Sequence, residues 1–536
     1  MISDTSTLPD SPEELKQLIT KLQSSHLAEL EKLKGRHEAE VRLLREQVRH
    51  LYNKLFGRKS EKSRYGDESP QLCLFDMPEP DPDAGEPEAV EVKQHTRIRG
   101  KRAPLPDNLP RVDIVHDIDE QEKVCHCGAA LQRIGEEVSE KLDIIPAVIQ
   151  VVRHIRPKYC CKECENVAEH GPTVKIAPVP VQLIPKAIAS GGLMAHILTA
   201  KFVDSLPFYR QEQQFSRLRA EISRATMCRW AMRVAEACIP LKNLLIQEIL
   251  SGPLIHADET TVQVLKEPGR AADSKSYMWI FRGGLPDAPL LSFHYHPTRE
   301  GAVAKTFLEN YSGVVQTDGY AAYDFLDEKD EVVHLGCWAH ARRKFMDAQK
   351  AKAKKSSRVG GADVALRYIK DLYRIEQKAK KLELTDAALL SLRQNETKPL
   401  LEQMHGWLVK KATQVVPKSL LGIAVHYTLK QWHRLESYID FPFATPDNNL
   451  AENAIRPFCV GRKNWLFAGT PAGAEASAIL YSLVESAKAN KLEPYKYLRF
   501  LFENLPMAIT AEDYGRLLPS RVSPQTLGEV SPVSTV

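Results

Sequence analysis

Residues 254–264 have the sequence LIHADETTVQV, and residues 314–323 have the sequence VVQTDGYAAY. In each stretch apolar and β-branched residues lead into an aspartate, Asp258 in the first and Asp318 in the second, which predicts two strands with a carboxylate at the end of each. A third acid, Glu452, lies in NNLAENAIRPF, which predicts a helix. Three carboxylates are the hard ligands needed to hold two Mg²⁺ ions, or Mn²⁺ in their place, for phosphodiester chemistry.

The segments around these acids alternate between strands and helices. PLIHADETTVQVL, SYMWIFRGG and PLLSFHYH predict three strands, GAVAKTFLENY a helix, SGVVQTDGY a fourth strand, and VVHLGCWAHARRKFMDA a short strand that continues into a helix. This is the element order of a ribonuclease-H-like core, in which the first and fourth strands are neighbours. A Lys-rich helical insertion over residues 346–440 would explain why Glu452 lies so far along the chain.

Basic and amide residues accompany the third acid. Asn449, Glu452 and Arg456 share one face of the predicted helix, and Arg462 and Lys463 follow closely. Because the backbone of a nucleic acid is anionic, we expect Asn449, Arg456, Arg462 and Lys463 to contact DNA phosphates beside the carboxylate.

Other acids lie beside the first two members of the set. Glu259 follows Asp258 directly, and Asp324 and Asp327 follow Asp318. A single acid is more often a solvated residue or a helix cap than a metal ligand. The apolar strand residues that lead into Asp258 and Asp318 favour these two, and Glu259 is the acid most easily confused with a ligand.

The chain is predicted to contain several domains, because 536 residues are too many for one hydrophobic core. The predicted boundaries are a coiled coil at 1–57, a linker at 58–109, a zinc-binding module at 110–178, a helical DNA-binding region at 179–252, the catalytic core at 253–345 and 441–490 with the insertion at 346–440 between its parts, and a helical C-terminal segment at 491–536. The net charge of +4 says little about partners, and no apolar run approaches the ~20 residues of a membrane span.

The N-terminal segment carries heptad positions. Leu27, Val41, Val48 and Leu55 occupy one position, and Leu30, Leu44 and Leu51 occupy the other. Lys34 and His37 interrupt this seam, and a register shift is predicted near Ser24 and Ser25. The pattern predicts a coiled coil and therefore a homo-oligomer; an amphipathic helix packed on its own chain is the alternative.

Four of the ten cysteines form two close pairs: Cys125, Cys127, Cys161 and Cys164. Four thiolates satisfy a structural Zn²⁺ in a small ribbon without a large core of its own. Cys160 in place of Cys161, or His126 or His154 in place of a thiolate, are the alternatives. Between the pairs, VIQVVRHI at 148–155 predicts a strand.

Two further segments bear basic residues. ISRATMCRWAMRVAE at 222–236 predicts the second helix of a helix-turn-helix, with Arg229 on its surface, and a structural packing helix is the alternative. In CWAHARR at 337–343, we expect Cys337 to pack and His340, Arg342 and Arg343 to contact DNA backbone. A metal role for Cys337 and His340 is the alternative.

Together these stretches resemble the IS66 family of transposases, in particular its large DDE subunit. The resemblance runs almost end to end, through YNKLFGRKSEK, CHCG and YCCKEC, HADET, QTDGYAAY, GCWAHARRKF and AENAIRPFCVGRKNWLFAG. It implies that Asp258, Asp318 and Glu452 form the DDE triad of a ribonuclease-H-like domain.

The resemblance also implies a function. The expected activity is Mg²⁺-dependent cleavage at transposon ends and strand transfer into target DNA, in the bacterial cytoplasm or at the nucleoid, with small accessory proteins as possible partners. The alternative is a non-catalytic regulator that binds DNA through the zinc module and the helix-turn-helix.

Overall fold

The computed structural model describes residues 11–56, 149–160, 174–351 and 359–528. The chain divides into two compact units, one formed by residues 1–60 and 155–536 and the other by residues 61–154. All the elements named below belong to the first unit. The predicted zinc ligands Cys125, Cys127, Cys161 and Cys164 lie outside the described residues.

The N-terminal segment is one long helix, α1 (Pro12–Phe56), so the helical prediction for it is confirmed. The helix continues without a break through Ser24 and Ser25. Its heptad leucines face solvent within the chain: Leu27, Leu30, Leu44 and Leu51 are 62%, 41%, 52% and 57% exposed. Near its end, Arg49 Nη1 donates to the carbonyl of Ala351 at 2.8 Å. A partner helix for the leucines stays a prediction.

A two-stranded antiparallel sheet and four helices precede the main sheet. They are β1 (Lys158–Cys160), β2 (Val174–Ile176), α2 (Gly191–Phe202), α3 (Phe208–Arg217), α4 (Arg224–Ala237) and α5 (Ile239–Leu250). Ser223 begins α4, because its hydroxyl accepts a hydrogen bond from the amide of Thr226 at 3.2 Å. The helix predicted from ISRATMCRWAMRVAE is therefore present, packed on α3 and on a later helix, α14 (Pro471–Ala489).

The main sheet contains five strands in the order β5–β4–β3–β6–β7. They are β3 (Leu254–Gln263), β4 (Lys275–Leu285), β5 (Ala288–His296), β6 (Gly313–Gln316) and β7 (Val332–Leu335), with α6 (Ala302–Phe307) between β5 and β6. β3, β4 and β5 pair antiparallel, whereas β3, β6 and β7 pair parallel. The predicted strands are present, and β3 and β6 are neighbours as expected.

The outer edge of β5 is covered by α14. The amides of Phe293 and Leu291 donate to the hydroxyls of Ser482 and Ser486, each at 2.8 Å, and Asn490 Nδ2 donates to the carbonyl of Pro289 at 2.8 Å. Three residues spaced four apart at the end of one helix thus bond to alternate residues of one strand. An edge strand with open amides is a template for aggregation, and this ladder closes it.

After β7 the described chain is helical. The elements are α7 (Trp338–Lys350), α8 (Gly361–Lys381), α9 (Asp386–Leu392), α10 (Lys398–Ala412), α11 (Leu420–Lys430), α12 (Trp432–Glu436), α13 (Asn449–Trp465), α14, α15 (Pro494–Asn504), α16 (Ala511–Arg516) and α17 (Pro524–Gly528). After residue 440 the chain contributes helices that cover the existing sheet, together with one isolated parallel bridge between Ala468 and Val264.

The described residues form two separate hydrophobic cores. The larger one joins α2, α4, α5, β3, β4, β5, α14 and α15. The second joins α7 to α8, α10, α11 and α12 and includes Trp338, Phe345 and Trp432. No helix within the described ranges is long and apolar enough to cross a membrane.

One predicted strand is absent. Residues 149–157 have no regular secondary structure, and Val151 and Ile155 are 88% and 74% exposed. Apolar alternation predicted a strand there, but within the described part of the chain these residues pair with no neighbouring strand. Alternation alone does not supply backbone partners, so the strand β1 begins only at Lys158.

Candidate active site

Asp258 lies in the middle of β3 rather than at its end, which corrects the position expected from the sequence. The strand continues past the aspartate because Thr260, Thr261 and Val262 pair with β4. Asp318 lies just past the end of β6, as expected. The last parallel pair of β3 and β6 is His256 with Gln316, so each aspartate follows its paired residue by two positions.

The two aspartates are close enough in space for the charge of Asp318 to act on the carboxyl of Asp258. Burial raises the pKa of Asp258 to about 8, and the negative charges of Glu259, Asp318 and Glu452 act in the same direction. A backbone hydrogen bond from Glu259, at 2.8 Å to Asp258 Oδ1, opposes these effects only partly. The site thus concentrates negative charge around a buried carboxyl, which is the environment that a cation would neutralise.

Glu452 lies in the first turn of α13, a helix that packs against β3. Its carboxylate faces α7: Oε1 lies 3.6 Å from His340 Nδ1, and Oε2 lies 3.3 Å from Arg343 Nη2. Burial lowers the pKa of His340 below its usual value, and the charge of Asp318 partly offsets that effect. His340 and Arg343, both predicted to contact DNA, therefore also contact the third acid.

The start of α13 is attached to β3 by Asn448, a fully buried residue that the sequence analysis did not single out. Its Nδ2 donates to the carbonyl of Ala257 at 2.8 Å, and its Oδ1 lies 2.9 Å from His256 Nδ1. Its backbone amide donates to Cys337 Sγ at 3.2 Å. One asparagine thus ties β3, α7 and α13 together directly beside Asp258. The NN pair offered a signal, but from the sequence only Asn449 stood out, as a residue expected to contact DNA phosphate.

Glu259, the residue after Asp258, is already engaged by other side chains. Arg299 Nε and Nη2 donate to its Oε1 at 3.0 and 2.6 Å, and the Tyr323 hydroxyl donates to its Oε2 at 2.9 Å. Arg299 also stacks over the ring of Tyr320, with 3.7 Å between guanidinium carbon and ring centroid. These partners occupy both oxygens of Glu259, which supports the choice of Asp258 between the two neighbouring acids.

The loop that carries Asp318 is held by the helical segment. The Tyr427 hydroxyl of α11 donates to the carbonyl of Asp318 at 2.8 Å. The next residue is Gly319, with φ of +81°, where an added Cβ would lie 3.0 Å from that hydroxyl. The left-handed backbone and the close hydroxyl both favour glycine at this position.

A buried polar chain lies behind the same loop. Thr317 Oγ1 lies 2.8 Å from His334 Nε2, whose Nδ1 lies 2.9 Å from Asp327 Oδ1. Burial lowers the pKa of His334 to about 4, so its ring is neutral near pH 7. Arg434 of α12 completes the chain through ion pairs to Asp327 and Asp324. Asp324 and Asp327, considered above as competing acids, thus serve this ion-pair network.

The predicted DNA-contacting residues differ in exposure. The exposed ones are Arg229, Arg342, Arg343, Asn449, Arg456 and Lys463. Arg462 is instead part-buried, and its Nη1 donates to the hydroxyls of Thr260 and Thr261 at 3.2 and 3.1 Å. It fixes the end of α13 against β3, so its guanidinium is already committed within the chain.

Comparison with known proteins identifies related sequences along the whole chain. Family models match for Transposase IS66 family at residues 186–476, Transposase C of IS166 homeodomain at 43–114, the zinc-finger binding domain of transposase IS66 at 122–165, and the IS66 C-terminal element at 482–520. The zinc-finger match spans all four predicted zinc ligands. This supports a structural zinc module, whose four predicted ligands lie outside the described residues.

Relatives of similar length occur in Sinorhizobium fredii (strain NBRC 101917 / NGR234). One of them, "Uncharacterized protein y4jD", is 31% identical over 91% of this chain and 96% of its own length. "Uncharacterized protein y4qI" is 28% identical over 82% of this chain and 81% of its own length.

Proposed function

The chain belongs to the IS66 transposase family, and from this membership we propose that Asp258, Asp318 and Glu452 are the catalytic acids of a DDE transposase. The observation that carries the proposal is the register of β3 and β6, with Asp258 and Asp318 each two residues beyond a paired residue. The pKa of Asp258, raised to about 8 mainly by burial and then by the charge of Glu259, also responds to the charges of Asp318 and Glu452, which supports a shared site.

We interpret the sheet and its helices as a ribonuclease-H-like core. The order β5–β4–β3–β6–β7, with three antiparallel strands followed by two parallel ones, supports this interpretation. On this view the helices from α8 to α12 are an insertion that packs on α7. The next helix, α13, carries the third acid, Glu452. The contacts of Tyr427 and Arg434 give that insertion a purpose, since they hold the Asp318 loop and the acidic residues that follow it.

The donor set fits divalent cations with oxygen ligands. Asp258, Asp318 and Glu452 would hold two Mg²⁺ ions, or Mn²⁺, and a bound cation would displace the proton that the raised pKa of Asp258 retains near neutral pH. When bound, the ions would activate the attacking oxygen and stabilise the leaving oxygen of a phosphodiester. The residues of the chain would do the rest by position: Asn448 fixes α13 against β3, and Tyr427 fixes the Asp318 loop.

The exposed basic residues near the acids are proposed to bind the substrate backbone. Arg342 and Arg343 lie on α7, Arg456 and Lys463 on α13, and all four are exposed. Together with Asn449 they would hold DNA against the site, first at a transposon end and then at the target. Arg229 on α4 and the zinc module are proposed to bind DNA further from the acids.

Other features of the proposal concern partners and place. The exposed leucines of α1 would pair with a second copy of the chain. By resemblance to the family, we also propose that small accessory proteins are partners. The protein would act in the bacterial cytoplasm, at the nucleoid when it is bound to DNA.

The proposal is tested by cleavage of DNA that carries the element's ends. Asp258→Ala should lose Mg²⁺-dependent strand cleavage and keep DNA binding, whereas Asp287→Ala, an exposed acid in the turn between β4 and β5, should behave as wild type. Equal cleavage by wild type and Asp258→Ala would end the proposal. DNA binding without any metal-dependent cleavage by the wild type would favour the non-catalytic regulator.

A further inference from the structure

A second group of metal ligands lies beside the three acids. Cys337 Sγ, His340 Nδ1 and a carboxylate oxygen of Glu452 all lie within 4.8 Å of one another. Cys337 immediately precedes α7 and His340 lies in its first turn, so the two side chains point to the same side at a spacing of three. Glu452 faces them from α13.

Two of these ligand atoms have no hydrogen-bond partner. His340 Nδ1 and Glu452 Oε1 are both buried, and neither forms a hydrogen bond within the described part of the chain. They lie 3.6 Å apart, which is too long for a hydrogen bond between them. Nitrogen and oxygen ligands of a tetrahedral zinc ion, each about 2.1 Å from the metal, lie about 3.4 Å from one another. The observed separation is therefore close to that of two ligands of one ion.

A backbone hydrogen bond also orients the sulfur of Cys337. Its neighbour Asn448 donates a backbone N–H to Sγ at 3.2 Å, the kind of outer contact that orients a metal ligand. Without metal, burial raises the pKa of the Cys337 thiol to about 12, so the sulfur carries its proton. A bound cation would displace that proton to solvent.

We propose that Cys337, His340 and Glu452 form a second metal site that takes zinc or another thiophilic divalent ion. A thiolate and an imidazole select such ions over Mg²⁺, which prefers oxygen ligands. The site is separate from the cysteine pairs of the zinc-finger segment, which lie at residues 122–165. The negative charge of Asp318 acts on the same imidazole, where it partly offsets the lowering of the His340 pKa by burial.

The consequence rests on the proposed function, because Glu452 belongs to both sites. With zinc bound to Cys337 and His340, Glu452 is directed to α7 and withdrawn from the Mg²⁺ site. Excess zinc should therefore inhibit Mg²⁺-dependent cleavage by removing one carboxylate.

The binding test uses cobalt, whose thiolate complexes absorb in the near ultraviolet. Full-length protein, purified with its zinc-finger segment loaded with zinc, is titrated with Co²⁺. We expect one thiolate–cobalt absorption signal in wild type that is absent from Cys337→Ser. His340→Gln should weaken Co²⁺ binding by about 10- to 100-fold or more. Cys228→Ser, which removes an exposed free thiol on α4, is the matched control and should keep the signal.

The variant Asp318→Asn and the combined outcomes of the cleavage and cobalt experiments separate this inference from the proposed function. Asp318→Asn should lose Mg²⁺-dependent cleavage and keep the cobalt signal, since it removes no ligand of the second site. If no variant or wild type cleaves DNA but the cobalt signal still depends on Cys337, the metal site stands and the catalytic proposal fails. Identical cobalt titrations of wild type, Cys337→Ser and His340→Gln, with all three folded by circular dichroism, would overturn the second site.

Discussion

Two adjacent asparagines, Asn448 and Asn449, have different roles although their side chains are identical. Asn448 is fully buried and bonded to His256 and Ala257, whereas Asn449 is exposed at the start of α13. Both have the same side chain and equal prominence in the sequence. Only the packing of α13 on β3 determines which of them holds the structure and which is free to meet a ligand.

The pair gives a matched test. Asn448→Ala leaves the carbonyl of Ala257 and the ring of His256 buried without partners, so the free energy of unfolding should fall by about 2–3 kcal/mol. Asn449→Ala should change it by less than about 0.5 kcal/mol, as expected for an exposed position. Urea denaturation of both variants measures the difference, and DNA affinity should fall for Asn449→Ala if that side chain contacts phosphate. Equal stabilities of the two variants would contradict the role of Asn448.

The buried carboxyl of Asp258 predicts a pH dependence of the metal-free protein. Its pKa in the folded state is about 8, above the value of 3.8 for an unperturbed aspartate. Between these values the folded state keeps a proton that the unfolded state releases, so the free energy of unfolding should fall as pH rises from about 4 to about 8. Each pKa unit corresponds to about 1.4 kcal/mol, so the upper bound is on the order of 5 kcal/mol.

Asp258→Asn removes this titration. In the presence of a chelator the variant should be more stable than wild type at pH 8, and the two should converge toward pH 4. Denaturant unfolding across that range measures both curves, with Asp287→Asn as the exposed control. Mg²⁺ should then stabilise wild type and leave Asp258→Asn nearly unchanged. Parallel curves for wild type and Asp258→Asn would show that Asp258 is already ionised near pH 7.

At the scale of single residues, the sequence predicted which acids follow apolar strand residues. It did not predict which side chains contact one another. The apolar runs before Asp258 and Asp318 reflect strand periodicity, which a single sequence carries. The ion pair that occupies Glu259 depends on Arg299, which lies 40 positions away, and Asn448 reaches a strand 191 positions away. A local sequence pattern cannot specify such long-range pairings, so these partners were not predicted. For the same reason Arg462 was expected to contact DNA phosphates rather than Thr260 and Thr261.

At the scale of elements, the helical segment is organised around one buried arginine. Arg393 Nε and Nη2 donate to both carboxylate oxygens of Glu376 at 2.9 and 2.8 Å. The same guanidinium donates to the carbonyls of Tyr438, Phe441 and Ala444 at 3.1, 2.9 and 2.9 Å. It thereby joins α8 to the segment that leads into α13.

Removing this guanidinium should be costly. Arg393→Met leaves three carbonyls without a donor and a carboxylate without a counter-ion, so the free energy of unfolding should fall by about 3–5 kcal/mol. Arg374→Ala breaks a pair with Asp371 in which the arginine side chain is 74% exposed, and it should cost less than about 1 kcal/mol. Thermal or urea unfolding compares the two. A small effect of Arg393→Met would mean that water takes over its role.

The elements themselves were largely predictable, and their boundaries and roles less so. Strands β3 to β7 follow from alternation and turn residues, and α1 from its uninterrupted helical pattern. The helices after residue 440 were harder, because α14 is buried on most of its surface and such a helix lacks a polar face that would reveal it.

At the scale of the whole molecule, α1 offers a surface that the other described residues leave open to solvent. Its leucines are exposed over many turns, so we expect the full chain to associate through them. A variant that lacks residues 1–56 should sediment as a monomer and retain the far-ultraviolet spectrum of the remaining helices and strands. If the full chain is itself a monomer at micromolar concentration, the coiled coil is an incorrect interpretation.

The ladder between α14 and β5 has a consequence for synthesis on the ribosome. The amides of Leu291 and Phe293 emerge long before Ser482, Ser486 and Asn490, which bond to that strand. During this delay the growing chain exposes an open strand edge and the apolar surface that α14 later covers. We therefore expect prematurely terminated copies to be aggregated or degraded, so that only complete chains accumulate in the cell.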